Sequence, residues 1–356
     1  MPAPDRLAAI RSRLLAWFVA NRRDLSWRRT RDPYAIWLSE VMLQQTRVKT
    51  VEEYFPRFLR KYPTVEKLAE AELGQVLGAW SGLGYYRRAR ALHAGAREVV
   101  EKYGGKLPSE AAKLREISGI GAYTAGAIAS IAFGAREPLV DGNVARVLAR
   151  LFALRCDVRS PAGARETWRV AAELLPQREP GSHNEALMEL GATVCTPRSP
   201  RCEACPLRDQ CEGRALGIEH ELPVLSKKKA PREMDMVALV SRRRGEVLLG
   251  LRKADGLFGG LWEPPMVEVA RGQKADKRLG ELLGVDRPVL TFGDVQTHVL
   301  THRKLRITIA SAEIRGEPSA QAVGPYERFA WQKGTALDGL GMSSLALRVL
   351  GAALPG

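Results

Sequence analysis

Four of the chain's five cysteines fall within seventeen positions, at Cys195, Cys202, Cys205 and Cys211, in the spacing C-x6-C-x2-C-x5-C. Four thiolates on one short loop carrying Pro197 and Pro206 can close around a single metal centre. Tetrahedral zinc and a [4Fe–4S] cube are the principal candidates. Zinc sites more often pair two C-x2-C hooks across a longer span, and one such hook exists here, so generic ligand chemistry does not decide between them. Clustered cysteines in an odd total argue against a disulfide scaffold and for a metal site in a reducing compartment. The fifth, Cys156, stands in an apolar stretch that reads as helix, where a buried free thiol is expected.

The remaining bulk properties narrow the partners. At 356 residues the chain is long enough for two or three domains. A net charge of +15 points to a polyanion, of which nucleic acid is the commonest. No apolar run approaches a membrane span, and Met1 to Arg13 lacks the apolar core and cleavage site of a secretory signal. The expectation is a monomer without membrane attachment, cytoplasmic, and nucleoid-associated if bacterial.

Two halves differ in pattern. Residues 1–212 read as helices joined by short polar turns: Leu7, Ile10, Leu14, Leu15, Trp17 and Phe18 follow helical spacing, as do Val65 to Trp80, Tyr85 to Tyr103 and Val144 to Leu154. Residues 213–233 read as a basic linker with Pro223, Pro231 and the run Lys227-Lys228-Lys229. Residues 234–356 carry strand signals at Met236 to Val240, Glu246 to Leu251 and Lys304 to Ala310. The fold class expected is mainly α, followed by a smaller α/β domain.

Three motifs in the helical half carry chemistry. Leu114 to Ile131 contains Gly119-Ile120-Gly121 between two helical stretches. Paired glycines allow close backbone approach, and a following helix offers free N–H groups to a phosphate, although most such pairs are plain turns. Trp37 to Thr46 reads as a helix with Glu40 on the stripe of Ile36 and Leu43. Loss of hydration there favours the protonated acid, while a Glu at the stripe's edge could instead reach water. Asp141 precedes a helix and reads as its N-cap, a placement that favours the ionised carboxylate. One neutral acid and one anion suit cleavage of a glycosidic bond through a cationic sugar.

The cysteine spacing, Ser-Glu-Val-Met-Leu-Gln-Gln-Thr around Glu40, the glycine hairpin and Asp-Gly-Asn-Val at Asp141 together resemble the endonuclease III superfamily of DNA glycosylases, and its MutY family in particular. The resemblance covers nearly the whole chain. It implies a helix–hairpin–helix core with a [4Fe–4S] cluster on the 195–211 loop. It further implies removal of adenine opposite 8-oxoguanine or guanine in double-stranded DNA. By the same resemblance Glu40 protonates the base, Asp141 stabilises the sugar cation and Asn143 orients the reacting groups. Tyr123 stands where lyase-competent relatives carry a nucleophilic lysine, which implies a glycosylase without strand cleavage. Arg23, Trp27 and Glu185 match positions lining an adenine pocket. Gln45, Thr46 and the wedge Tyr85 match contacts to 8-oxoguanine. Gly119 and Gly121 match the DNA-binding hairpin.

The last part of the chain is similar to the MutT-like (Nudix-fold) domain that this family appends, through Leu249 to Lys253 and Gly259 to Pro265. The Arg-Glu-x-x-Glu-Glu metal site of a working hydrolase does not follow, and Glu281 is solitary, so no nucleotide hydrolysis is expected. His298-Val299-Leu300-Thr301-His302 resembles the lesion-sensing Phe-Ser-His loop, with Leu300 for Phe and Thr301 for Ser, and so places Thr301 and His302 among the DNA contacts. The linker is a candidate docking segment for a repair-protein partner. Three rivals stand beside this reading: a pyrimidine-directed glycosylase-lyase, a thymine mismatch glycosylase and a catalytically silent DNA-binding protein.

Overall fold

The fold is that of a computed structural model describing residues 4–226, 230–270, 272–319, 321 and 323–352. The Lys227-Lys228-Lys229 run lies outside the described residues. Contacts divide the chain into two compact units. One is built from the residues up to Ala69 and from Ala94 to the linker; the other joins Glu70–His93 to the residues after the linker.

Among the described residues of the first unit the regular elements are helices, apart from an isolated bridge between Asp157 and Val224. The Pro4–Asn21 helix buries Ile10, Leu14 and Phe18, one residue per turn, as its spacing predicts. The Pro33–Leu43 helix begins with proline at its first position and Asp32 as cap, the carboxylate accepting the Tyr34 N–H at 3.0 Å. Its residues Tyr34 through Met42 are all buried, so Glu40 lies in a helix enclosed on every side rather than on one apolar stripe. The helix stops at Leu43, short of the expected Thr46, because Gln45 takes a left-handed conformation (φ 57°).

Other boundaries also moved. The expected Val65 to Trp80 helix is two, Val65–Glu70 and Leu73–Ala79. The next starts at Arg87 rather than Tyr85. The Gly142–Leu151 helix ends three residues early, followed by Ala153 at φ 47°. Cys156 therefore sits in the loop beyond that helix and is half-buried, not a buried helical thiol. The first part of the expected linker packs down: Leu222 is buried and its carbonyl accepts the Arg150 Nε–H at 2.9 Å.

The second unit has the expected α/β character. Its strands are β1 Arg232–Val240, β2 Arg242–Arg243, β3 Glu246–Arg252, β4 Trp262–Glu263, β5 Met266–Glu268, β6 Thr291–Val299, β7 Arg303–Ser311 and β8 Tyr326–Lys333. One sheet runs β5-β1-β7-β6, with β1 and β7 parallel. The other runs β2-β3-β4, with β8 also on β3. Alternation along β1 sends Met236, Ala238 and Val240 into the core beneath the Ser344–Ala352 helix, and Val237 and Leu239 into a second core against the Ala275–Leu283 helix.

Candidate active site

The first unit encloses a cavity of about 350 Å³ that collects residues from distant parts of the chain: Arg23, Trp27 and Arg28, then Glu40 and Gln44 to Thr46, then Tyr123, Asp141 and Asn143, and finally Glu185, Met188 and Glu189. The nine sequence-predicted residues Arg23, Trp27, Glu40, Gln45, Thr46, Tyr123, Asp141, Asn143 and Glu185 all line it.

Glu40 is 5% exposed. The Tyr123 hydroxyl donates to its Oε2, and that hydroxyl lies 3.2 Å from Met188 Sδ. Burial pushes the Glu40 carboxyl up to about 7. The Tyr123 bond pulls it down, and the charges of Asp141 and Glu185 push it up again. Tyr123, the second residue of the Ala122–Ala127 helix, is itself raised well above the ordinary phenol range, first by burial and then by Glu40.

Asp141 caps the Gly142–Leu151 helix: Oδ1 accepts the Val144 N–H at 2.7 Å, and Oδ2 accepts the Asn143 side-chain amide at 2.9 Å. The expected ionising influence is present in these bonds, yet burial is the larger effect and the carboxyl is net raised. Arg146 reinforces the arrangement. It donates to Asn143 Oδ1 at 2.9 Å, and its Nε reaches the Cys195 carbonyl at 2.8 Å.

At the far wall Arg23 grips Glu189 through Nε and Nη2, both at 2.7 Å, and Arg28 adds a bond at 2.8 Å. Burial alone would raise Glu189, but these bonds outweigh it and hold the carboxyl down at about 2. Glu185, one turn away on the Pro180–Thr193 helix, faces Arg31 at 3.3 Å and Arg28 at 3.7 Å. Trp27 is 6% exposed and packs edge-on to Phe55, so it is a core aromatic that also faces the cavity.

Cys195, Cys202, Cys205 and Cys211 line a separate cavity with Arg150 and Arg214. None of the four is in a disulfide. Burial pushes Cys205 up to about 12 and raises Cys202 and Cys211, so their thiolates need a cationic centre to exist there. All four thiols border one void, and four cysteines around one space are the donor set that a [4Fe–4S] cluster takes. Arg150 knits the loop, donating to the Thr196 and Pro197 carbonyls at 2.7 and 3.0 Å and to Cys195 Sγ at 3.4 Å.

Comparison with known proteins bears on the whole assembly. Residues 38–173 match the HhH-GPD superfamily of base excision DNA repair proteins, residues 195–211 the iron–sulfur binding domain of endonuclease III, and residues 236–352 the NUDIX domain. The chain is 36% identical to the adenine DNA glycosylase of Homo sapiens, over 92% of this chain and 71% of that one. It is 37% identical to that of Rattus norvegicus, over 92% and 75%. The chain belongs to the adenine DNA glycosylase family.

Membership makes it a base excision repair enzyme, and its cysteine loop is a [4Fe–4S]-binding loop, as expected. A thermostable thymine-DNA glycosylase is similar in structure (TM-score 0.55, 29% identity), covering 60% of this chain and 98% of its own. The adenine DNA glycosylases match over a larger share of the chain than this thymine enzyme does. In this adenine DNA glycosylase several expected residues lie outside the cavity. Gly119 (φ 83°) makes the hairpin turn, and Gly121 caps the Ala122–Ala127 helix with open space where a Cβ would stand. Tyr85, Thr301 and His302 belong to the second unit. Tyr85 is 44% exposed, and Thr301 and His302 are exposed in the β6–β7 turn, while Leu300 packs against the core. Sequence reasoning missed Arg28 and Glu189. The signals were available in Trp27-Arg28 and in the four-residue spacing of Glu185 and Glu189, but pairing them required the fold.

Proposed function

We propose that this adenine DNA glycosylase hydrolyses the N-glycosidic bond of adenine mispaired with 8-oxoguanine, and with guanine, in double-stranded DNA, and leaves the strand uncut. The observation that carries the reading is Glu40: a buried carboxyl raised to about 7, bonded to Tyr123 and opening on a cavity shared with Asp141. Such an acid keeps about half of its population protonated at pH 7, where an ordinary carboxyl is ionised, and the partner on its Oε2 is a neutral hydroxyl.

The adenine must leave the stack to reach that cavity. Arg23, Trp27 and Glu185 hold it there, together with Arg28. Glu40 gives its proton to adenine N7, the C1′–N9 bond breaks, and the electron pair departs with the base. Asp141, oriented by Asn143, stabilises the oxocarbenium ion or adds to it. Glu40, now a carboxylate, takes a proton from the water that completes C1′. Tyr123 cannot form the Schiff base that strand cleavage requires.

Gln45, Thr46, Tyr85, Thr301 and His302 read the base opposite, and the Gly119–Gly121 hairpin holds a phosphate. Cys195, Cys202, Cys205 and Cys211 would hold the [4Fe–4S] cluster, which supplies covalent cross-links to the loop that Arg146 and Arg150 tie to the Gly142–Leu151 helix. Among the described residues no helix is long and apolar enough to cross a membrane. We place the enzyme in the cytoplasm as a monomer, divided as 1–212, 213–233 and 234–356, with no nucleotide hydrolysis and with the linker open to a repair partner.

The test is single-turnover reaction of a duplex with one 8-oxoguanine·adenine pair, the adenine strand labelled, developed with and without hot alkali. Breaks that need alkali support the reading. Breaks without alkali, or none, reject it.

A further inference from the structure

We propose that Tyr86, Ser81 and Arg90 are positioning residues for lesion discrimination. They latch the loop carrying Tyr85 to the C-terminal α/β domain, so that the preference for 8-oxoguanine over guanine opposite adenine depends on that latch. The inference rests on the function proposed above.

The loop between the Leu73–Ala79 helix and the helix that begins at Arg87 belongs, by its contacts, to the second unit. Both flanks of the loop end on one acceptor: the Tyr86 hydroxyl donates to the Met342 carbonyl, and the Ser81 hydroxyl donates to the same oxygen at 3.2 Å. One turn on, the Arg90 guanidinium donates to the Gly259 carbonyl. The helix before the loop packs just as closely. A Cβ on Gly78 would lie 2.8 Å from the Gly339 oxygen, and one on Gly341 would lie 2.9 Å from Leu77 Cβ. Glycine on both sides is what such an approach demands.

The loop turns through left-handed backbone, which its two glycines adopt freely and Tyr85 does not. Gly82, Gly84 and Tyr85 all have positive φ, at 97°, 69° and 48°. A non-glycine residue there persists only when its surroundings impose it. Buried Arg88 donates to the Leu83 and Gly84 carbonyls at 3.2 and 3.1 Å, and its guanidinium lies over the Tyr85 ring at 5.6 Å. Tyr85 is thus presented from a frame whose two ends are fastened to the domain that carries Thr301 and His302. Two lesion-reading elements more than two hundred residues apart in sequence share one compact unit. Loosening the frame weakens the reading of the lesion and spares the chemistry of base removal, whose residues line a different part of the protein.

The test uses the full chain in two forms that attack the latch from opposite sides: Ser81→Ala with Tyr86→Phe, and Gly341→Ala alone. Single-turnover adenine release is measured at saturating enzyme opposite 8-oxoguanine and opposite guanine, with melting temperature and cluster absorbance as fold controls. The expected result in both forms is a preference reduced about ten-fold, the size of one or two lost hydrogen bonds, with the guanine-paired rate within about two-fold of wild type. An unchanged preference, or equal loss on both substrates, overturns the proposal. A wild-type enzyme with no preference at all would instead reject the lesion reading. Amide exchange across Gly82–Tyr86 then decides the latch, faster exchange in the variants supporting it and unchanged exchange overturning it.

Discussion

Each unit of this protein buries a glutamate beside a tyrosine hydroxyl, and the two pairs have opposite natures. Glu40 is 5% exposed and takes its bond from Tyr123. Glu263 is fully buried and takes a bond from Tyr326 at 2.7 Å together with an ion pair from Arg252 at 2.6 Å. Burial pushes both carboxyls up, but in Glu263 the Arg252 charge is the foremost opposing influence, whereas Glu40 is opposed first by a neutral hydroxyl and pushed further up by Asp141. Glu40 also opens on a cavity, and Glu263 is buried on β4. Burial alone therefore does not suit a carboxyl to the acid role proposed for Glu40. A compensating cation turns a buried carboxylate into structure; a neutral partner and access to substrate leave a proton free to transfer.

The two carboxylates should respond differently to replacement. Glu40→Gln should lower single-turnover adenine release by about a thousand-fold or more while DNA affinity survives, since a general acid of this kind contributes on that scale. Release within ten-fold of wild type would remove Glu40 from the acid role. Glu263→Ala should act on the other axis. It leaves Arg252 buried and uncompensated, at a cost of about 3–5 kcal/mol in a urea titration. A variant as stable as wild type would mean that the Arg252–Glu263 pair does not hold the sheet together.

How far the two sites could be read from sequence follows the same division. Glu40, Asp141 and the four cysteines were legible because their motifs are local: a carboxylate's immediate neighbours, a cap before a helix, thiols within a short loop. The strands β1, β3 and β7 were legible because alternation is local too. What could not be read were pairings across the chain. Tyr123 could be read as a phenol standing where a nucleophilic lysine is found in lyase-competent relatives, but nothing near it showed that its hydroxyl reaches Glu40, eighty-three positions away. The Arg23–Glu189 grip spans 166 positions and the Arg252–Glu263 pair hides behind a turn. The segment Glu70–His93 reads as one more stretch of the helical half, and its contacts with Gly259 and with Gly339 to Met342 assign it elsewhere.

A smaller effect separates the two glutamates through pH. The Glu40 carboxyl sits at about 7 in the folded chain against an ordinary 4.5, so the folded state holds the proton more tightly than the unfolded one. Below 4.5 both states are protonated and nothing is lost. Between 4.5 and 7 stability falls as pH rises, and above 7 the full penalty stands, about 3 kcal/mol. Glu40→Gln should therefore melt higher than wild type at pH 8 and lose that advantage by pH 4. An advantage independent of pH would point to packing rather than to the buried charge.

The finest cut is Tyr123→Phe, which keeps the ring and removes the hydroxyl. The hydroxyl bond favours the ionised form of Glu40, so its loss should raise the carboxyl further. The falling, alkaline limb of the single-turnover pH profile should then move up by about one pH unit, the scale of one hydrogen bond to a charged group. If Glu40 must later accept a proton from water, the same change strengthens it as a base, so the variant's rate on the acid side should not collapse. A limb that stays in place would mean that the group titrating near neutrality is not Glu40. A limb that moves down would mean that Tyr123 had been stabilising the protonated acid, with its oxygen accepting from Glu40 rather than donating to it, and the contrast with the Tyr326–Glu263 pair would then rest on Arg252 alone.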